Sequence, residues 1–206
     1  MAMVQQNLTA TATQETLQEM GAEFLSKFFT INLAAGLTEA LREAESYFKS
    51  FILDVFRFRL EQLDDLIFET PGARPGFNVC HKGVPRTLLT SFGPLLFARR
   101  YYKSKDQGTY AYLVDDVVGI DAHDRVEKGL SVELCAAASD MSYAKSSAVC
   151  CQGLVSRQTV KNKLAAVVIE DVHPVSPRTH VKQVHLQCDE DHVSLQKKPS
   201  TTAKLT

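Results

Sequence analysis

Six basic residues and no acidic one lie between Lys82 and Lys105, interleaved with four aromatic residues. Cations that neutralise phosphates release bound counterions, and aromatic rings stack on exposed bases. This basic stretch therefore predicts a nucleic-acid-binding surface, and the alternative is a solvated sheet face with a hydrophobic reverse side. The candidate contacts are Arg86, Arg99, Arg100 and Lys103, and the aromatic residues are Phe92, Phe97, Tyr101 and Tyr102.

A second stretch, 142–164, has the residue order of a helix-turn-helix. Ser142 and Ser156 can each cap a helix, and Gln152-Gly153 supplies the turn between them. The alternative is a helical hairpin that makes no DNA contact. Arginine and glutamine suit the edges of guanine and adenine, so one helix face is the predicted DNA-binding face. Its residues are Arg157, Gln158, Lys161, Asn162 and Lys163.

A third stretch, 188–192, places three carboxylates and an imidazole after a short apolar strand candidate at 184–188. Carboxylate oxygens are the ligands that hard divalent cations prefer. Two-metal phosphoryl transfer needs such carboxylates from several elements, however, and only one element is visible here. An ordinary acidic turn is the alternative.

The elements that must position these residues follow from hydrophobic periodicity. Apolar residues three and four apart predict helices over 14–30 and 36–69, which form either an ordinary core element or a hairpin for self-association. Strands are predicted at 86–92, 95–102 and 110–114, and helices at 124–138, 142–151 and 156–170, the first opened by a capping box from Asp124 to Glu127. The predicted regions are a loose tail (1–13), a helical region (14–70), a basic β-meander (77–118), a helix-turn-helix domain (124–172) and a last region (183–206).

Composition excludes several classes of protein. Apolar residues make up 45% of the 206-residue chain and charged residues 23%, which is typical of a globular protein. No run approaches the ~18 apolar residues of a membrane span, and no secretory signal is visible, so we expect a cytoplasmic protein with no membrane partner. Residues 1–70 hold five basic and eleven acidic side chains, against 18 and 13 in 71–206, which predicts different partners for the two parts.

Taken in order, these features resemble the ISLre-type insertion-sequence transposases. The segment TSFGPLLFARRYY at 90–102 resembles that family's T-x-F-G-x-[VL]-x-F-x-R-R-Y-Y segment, and CDEDHVSLQ at 188–196 resembles its D-E-D-H-V-x-L-Q box. Shorter matches lie at 112–120, 141–143 and 155–160. The resemblance covers roughly 75–196 of this chain.

The resemblance implies a role and a site. In such transposases the last box opens a ribonuclease-H-like core, and Asp189 would be the first acidic metal ligand, with Asp191 as the alternative. Mg²⁺ or Mn²⁺ is implied for the intact family. Because the other acids of that core are not visible, we expect this chain to bind no metal and to be inactive alone. Gene decay, a frameshift or a truncated gene model would each explain this.

We therefore predict an α+β fold with an N-terminal helical hairpin, a small antiparallel β-meander, a helix-turn-helix and the first strand of a truncated ribonuclease-H-like core. The predicted function is that of the DNA-binding N-terminal part of a transposase, unable to catalyse transposition alone. The alternatives are a stand-alone DNA-binding regulator and a non-functional remnant. The expected partners are double-stranded DNA at the element ends and a second copy through 14–69, in a nucleoid-associated protein.

Overall fold

The computed structural model describes residues 11–106 and 108–168 and the paired backbone of 191–194 and 202–205, and it is a mixed α+β structure. The chain forms two compact units, Met1–Val167 and Val168–Thr206. The helices are α1 (Thr11–Phe29), α2 (Leu37–Glu69), α3 (Leu113–Val118), α4 (Lys128–Asp140), α5 (Tyr143–Cys151) and α6 (Arg157–Ala165). The strands are β1 (Phe77–Thr90), β2 (Gly93–Ser104), β3 (Tyr110–Ala111), β4 (Asp191–Ser194) and β5 (Thr202–Leu205).

Helices α1 and α2 occur where the hydrophobic period predicted helices. Helix α2 runs for 33 residues because no glycine or proline interrupts it, and it ends at the Pro71–Ala73 turn of 3-10 helix. Helix α1 packs on α2 through Phe24, whose ring stacks on Phe51 at 4.6 Å between centroids and meets Phe48 edge-on at 6.2 Å. Offset and edge-on ring pairs of this kind are the favoured aromatic geometries.

Three antiparallel strands follow in the order β1-β2-β3. Strands β1 and β2 form a hairpin closed at Thr90 and Gly93, and β3 pairs only with Tyr102 and Lys103 of β2. One core lies between α2 and this sheet. Its buried members are Leu60, Leu63, Ile67, Leu95, Phe97, Tyr102 and Val114.

The strand predicted over 110–114 is wrong beyond residue 111. Only Tyr110–Ala111 pairs in the sheet, and Leu113–Val118 is the helix α3. The helix lets Val114 enter the core while the adjacent Asp115 is also buried and pairs with Arg99. Neighbouring residues of a strand point to opposite faces, so a strand could not bury both on one side.

Helix α2 lies along the edge of β2 that β3 leaves unpaired. The backbone N–H of Ala98 donates to Glu61 Oε1 at 2.9 Å, and that of Arg100 donates to Asp64 Oδ1 at 3.1 Å. Asp64 also accepts from Arg100 Nη1 at 2.6 Å. Burial raises the pKa of Asp64, and its hydrogen bonds from Arg100 oppose that rise. Two carboxylates of a helix thus take the place of a neighbouring strand.

Helices α4, α5 and α6 pack around a second core. The members of this core are Val126, Leu130, Leu134, Cys151, Val155 and Val160. The segment before α4 joins β1, because Leu89 N–H donates to the Arg125 carbonyl and Glu127 N–H donates to the Leu89 carbonyl, both at 2.8 Å. The three helices and the sheet therefore belong to one hydrogen-bonded unit.

The predicted start of the first of these helices at Asp124 is also wrong. Helix α4 begins at Lys128, and its N-cap is Glu127, whose carboxylate accepts from the N–H groups of Gly129 and Leu130. Asp124 is instead an ion-pair partner of Lys163. A side chain that can cap a helix can equally pair with a cation distant in sequence, and periodicity does not distinguish the two uses.

In the second unit, β4 and β5 pair antiparallel, with Asp191 opposite Leu205 and Ser194 opposite Thr202. The strand candidate at 184–188 lies outside the described residues. The tail predicted at 1–13 also lies outside them, apart from the backbone of 11–13 at the start of α1.

The Asp64–Arg100 contact gives a test of the fold. Replacing Asp64 by Ala should lower the free energy of unfolding by about 1–3 kcal/mol, because it leaves the backbone N–H of Arg100 without its acceptor and removes one of the two carboxylates that pair with the guanidinium. The matched control is Asp65→Ala, since Asp65 pairs with the same guanidinium but its side chain is 59% exposed, against 4% for Asp64. We expect at most about 1 kcal/mol for that change. Urea denaturation followed by circular dichroism compares the two, and equal midpoints would contradict the proposed role of Asp64.

Tyr102 gives a test by pH. Its buried hydroxyl has no hydrogen-bond partner among the described residues, and burial raises its pKa to about 12. A raised folded-state pKa contributes stability that is complete below the unfolded value near 10 and is lost as the pH rises toward 12. Tyr102→Phe should therefore be neutral or stabilising at pH 7 and should lose less stability than the parent between pH 9 and 11. Parallel urea midpoints of the two proteins across that range would exclude this effect.

Candidate nucleic-acid interface

Helix α6 is fixed at its start by a tight turn and a serine cap. Gln152 and Gly153 both adopt left-handed backbone conformations, with φ of 54° and 80°, which stop α5 and reverse the chain. Ser156 then caps α6 by accepting from the Thr159 N–H at 3.1 Å. Because Val155 and Val160 are buried on either side of this cap, the first turn of α6 is held against the helical core.

Small polar residues let α5 cross its neighbours closely. Ser146 Oγ donates to the Leu134 carbonyl of α4 at 2.8 Å, and Ser147 Oγ donates to the Val155 carbonyl that precedes α6. Both serines are buried, and each hydroxyl makes a hydrogen bond, so neither leaves a buried polar group without a partner, which would destabilise the fold. The three helices are thereby held in one relative orientation.

Four of the five predicted groove residues project from one side of α6. Arg157, Gln158, Lys161 and Asn162 are all exposed. Their spacing of i, i+1, i+4 and i+5 places them together on the helix surface. Gln158 Nε2 donates to Asn162 Oδ1 at 2.9 Å, and within the described part of the chain neither Arg157 nor Lys161 has an ion-pair partner. We call these four residues the α6 face.

The fifth predicted residue, Lys163, is engaged within the protein. Its ammonium donates to both oxygens of Asp124 at 2.7 Å, and both side chains are largely covered. Arg86 is held near the same loop, since its guanidinium donates to the Asp121 carbonyl at 3.3 Å and to the Asp124 carbonyl. These two cations therefore bind the loop at 121–124 in this structure.

Two of the sheet arginines are also paired internally. Arg99 is buried, forms an ion pair with Asp115, and its Cζ lies 3.5 Å from the centroid of the Tyr112 ring. Burial lowers the pKa of Arg99. Arg100 is held by Asp64 and Asp65 as described above. Of the four sheet cations predicted to bind nucleic acid, Lys103 is the exposed one.

The aromatic residues of the basic stretch also lie in different environments. Phe97 and Tyr102 are core residues, whereas Phe92 is exposed at the hairpin turn. Tyr101 belongs to a ring cluster with His81, Tyr110 and Tyr112, which we call the aromatic cluster. The sequence did not single out those three partners, because His81 comes from β1, Tyr110 from β3 and Tyr112 from the residue before α3. The alternate spacing of Tyr110 and Tyr112 was a signal for those two rings, whereas the register shifts of β1 set the position of His81.

The acidic box falls almost wholly outside the described residues. Asp189 is one of the residues outside, and Asp191 is described only as the first backbone position of β4. Among the residues that the structure describes, no group of three or more His, Cys, Asp or Glu side chains could hold a metal ion. None of the described helices is long and apolar enough to cross a membrane.

The geometry defines a mixed α+β protein in which a capped, exposed helix projects from a three-helix unit joined to a small sheet. Residues 31–206 match the family described as "Uncharacterised protein family (UPF0236)", and the chain belongs to that family. No solved structure matches it.

Two relatives come from Caldanaerobacter subterraneus subsp. tengcongensis. One is a UPF0236 protein whose name joins eleven TTE labels, and it is 37% identical over 147 residues, which are 71% of this chain and 31% of the relative. The other, UPF0236 protein TTE2489, is 32% identical over 176 residues, which are 85% of this chain and 38% of the relative. The chain spans about a third of the length of the curated relatives it matches.

Proposed function

We propose that this chain is the DNA-recognising part of a transposase that resembles the ISLre-type insertion-sequence family. The observation that carries the proposal is the α6 face, which is exposed while the opposite side of α6 is packed into the helical core. Helices α5 and α6 act in it as a helix-turn-helix, with α6 as the recognition helix.

The dimensions and chemistry of α6 suit the major groove of DNA. Its nine residues extend about 14 Å, and the groove, about 12 Å wide, admits one α-helix. Arg157 can donate twice to guanine, and the amides of Gln158 or Asn162 can pair with adenine. Lys161 can neutralise a phosphate. The hydrogen bond between Gln158 and Asn162 restricts both amides before DNA arrives, which lowers the entropy lost on binding.

Two further observations support a transposase rather than another DNA-binding protein. The sequence resemblance runs in order through the sheet, the helix-turn-helix and the acidic box at 188–196. The name of one relative joins eleven labels from one organism, which we interpret as eleven copies of its gene. A sequence that multiplies within a genome leaves such copies.

The metal-dependent chemistry of such a protein would fall to acids beyond the described residues. The resemblance assigns the first of them to Asp189 or Asp191, with Mg²⁺ or Mn²⁺ stabilising charge on the transferring phosphate. Asp189 lies outside the described residues and Asp191 is described only as backbone. The side-chain ligands of a metal at this position are therefore not described. The function proposed for the described residues is therefore DNA recognition.

A stand-alone DNA-binding regulator is the second candidate function. It is favoured by the closed core beneath α4, α5 and α6, since a unit with its own core could bind DNA without a catalytic domain. The two functions share the α6 face and differ in whether DNA is cut.

Self-association through α2 belongs to the same proposal, with a second copy of this chain as the occupant. Apolar residues recur along α2 at 37, 41, 44, 48, 51 and 55, in the alternating spacing of four and three that forms a coiled-coil seam. Helix α1 covers the middle of this seam through Phe24. Leu37 and Leu41 at the start of this seam remain 71% and 60% exposed. The repeated spacing fits an identical seam on another copy.

The α6 face predicts how salt affects DNA binding. The variant Arg157→Ala/Lys161→Ala should bind a duplex carrying the element's terminal sequence more weakly than the parent. The slope of log K against log salt should also fall by about one, since Lys161 is the phosphate contact of the pair and its loss removes roughly 0.9. Anisotropy titrations at several salt concentrations measure both quantities.

The matched control for this experiment is Lys27→Ala/Arg57→Ala, which removes two exposed cations from α1 and α2. That variant should keep the parent slope. Equal slopes and affinities for the parent and the Arg157→Ala/Lys161→Ala variant would show that α6 does not bind DNA.

The exposed seam predicts the oligomeric state. The full chain should run larger than a monomer in multi-angle light scattering, and Leu37→Ser/Leu41→Ser should shift it to a monomer, because the apolar area buried between copies is lost. The control is Val132→Ser/Val149→Ser, which removes two equally exposed apolar side chains from α4 and α5. A parent that stays monomeric over the measured concentration range would refute self-association.

A further inference from the structure

Three rings of the aromatic cluster are nearly parallel and come from three strands. Tyr101 and Tyr110 lie 5.1 Å apart between centroids, with 11° between their planes. His81 and Tyr101 lie 6.3 Å apart with 12° between theirs. The fourth ring, Tyr112, lies 4.7 Å from Tyr101 and is tilted by 37°. His81 and Tyr110 are exposed at the two ends of this row, Tyr110 to 50%. Outer ring faces of this kind can accept a further planar ring.

The backbone of β1 is irregular where it places His81 in this row. The pairing of β1 with β2 shifts register on both sides of His81, between Val79 and His81 and again between His81 and Val84. Gly83 supports the second shift with a φ of 65°. Bulges commonly re-aim a side chain next to a functional site, and here they bring His81 opposite Tyr101.

Positive charge accompanies the rings. The ammonium of Lys103 lies 5.6 Å from the Tyr110 centroid, and both side chains are exposed. On the inner side, the guanidinium of Arg99 lies against Tyr112 and is itself held by Asp115, which fixes the orientation of that ring. An exposed cation beside fixed rings suits a ligand that combines a phosphate with a flat base.

We propose that the aromatic cluster stacks on unpaired bases of single-stranded DNA, with Tyr110 and His81 as the outer stacking faces and Lys103 neutralising an adjacent phosphate. This rests on the proposed function, because it takes DNA as the ligand of the chain. It adds single-stranded DNA to the duplex DNA of the proposed function. The α6 face needs the intact major groove of a duplex, whereas the rings need bases that have left the duplex stack.

The test uses the full chain and an oligothymidine of about 12 nucleotides, within the site size of single-strand-binding folds. Tyr110→Leu keeps an apolar side chain but loses the ring, and we expect it to weaken binding about 5- to 150-fold, the usual effect of losing one base stack. Tyr110→Phe should restore the parent affinity. A 2-aminopurine base in the same oligonucleotide should be quenched by the parent and by Tyr110→Phe, but not by Tyr110→Leu.

Two controls separate stacking from charge and from fold. Phe92→Leu removes an exposed ring outside the cluster and should leave oligothymidine binding unchanged. His81→Ala changes an exposed side chain at the other end of the row, and it should reduce both affinity and quenching. Thermal melting by circular dichroism establishes that each variant folds.

The outcomes distinguish this inference from the function it rests on. Equal affinity of Tyr110→Leu and parent for oligothymidine, or equal loss in Tyr110→Leu and Tyr110→Phe, would overturn stacking even if duplex binding by α6 is intact. Loss of duplex binding in Arg157→Ala/Lys161→Ala, with oligothymidine binding unchanged, would support two separate surfaces. Ring-dependent quenching by a parent that binds no duplex would support the cluster and refute the role of α6.

Discussion

The unpaired edge of β2 is the constraint on which the N-terminal unit depends. Backbone N–H groups at such an edge must find acceptors, and an open edge invites pairing with another chain. Here Glu61 and Asp64 of α2 accept from Ala98 and Arg100, so the helix closes the edge. Burying a carboxylate is costly unless it is paired, and Asp64 is paired twice by Arg100, through its backbone and its side chain. The position of α2 on the sheet follows from these contacts.

These contacts change the interpretation of how charge is distributed along the sequence. The acid-rich first 70 residues and the basic remainder predicted different partners for the two parts, yet some of their charges meet inside the fold. Arg100 pairs with Asp64 and Asp65 of α2, whereas Arg99 pairs within the basic part, with Asp115 of α3. A run of cations in a strand can therefore bind a ligand or pair inside the protein, and its sequence does not separate the two uses. These two neighbouring residues reach different elements, and the acids that neutralise them are distant in sequence.

Local signals predicted much of the structure, whereas long-range pairing did not follow from them. The helical period gave α1 and α2 within a few residues, and Ser142 and Ser156 cap α5 and α6 as their types predicted. The helix predicted over 156–170 is wrong at its end, because α6 stops at Ala165. A hairpin was predicted between the strands at 86–92 and 95–102, but its turn lies at 91–92, since Gly93 already pairs with Thr90. The predicted strand at 110–114 was wrong because burial of Val114 and pairing of Asp115 are tertiary effects. The aromatic cluster depends on the register of β1, which two bulges set and which no periodicity in the sequence records.

The cations that are paired inside the protein fix the position of α6, the helix that carries exposed cations. Arg86 donates to the carbonyls of Asp121 and Asp124, and Lys163 donates to the carboxylate of Asp124. The next residues, 125–127, add their backbone to β1 through Leu89. The chain between sheet and helices is thus held by side chains from both, so α6 cannot rotate freely about that connection. A recognition helix on a fixed frame loses less entropy on binding than one on a flexible linker. Under the proposed function, Arg86 and Lys163 would contribute to DNA recognition without contacting DNA, because they fix the orientation in which the α6 face is presented.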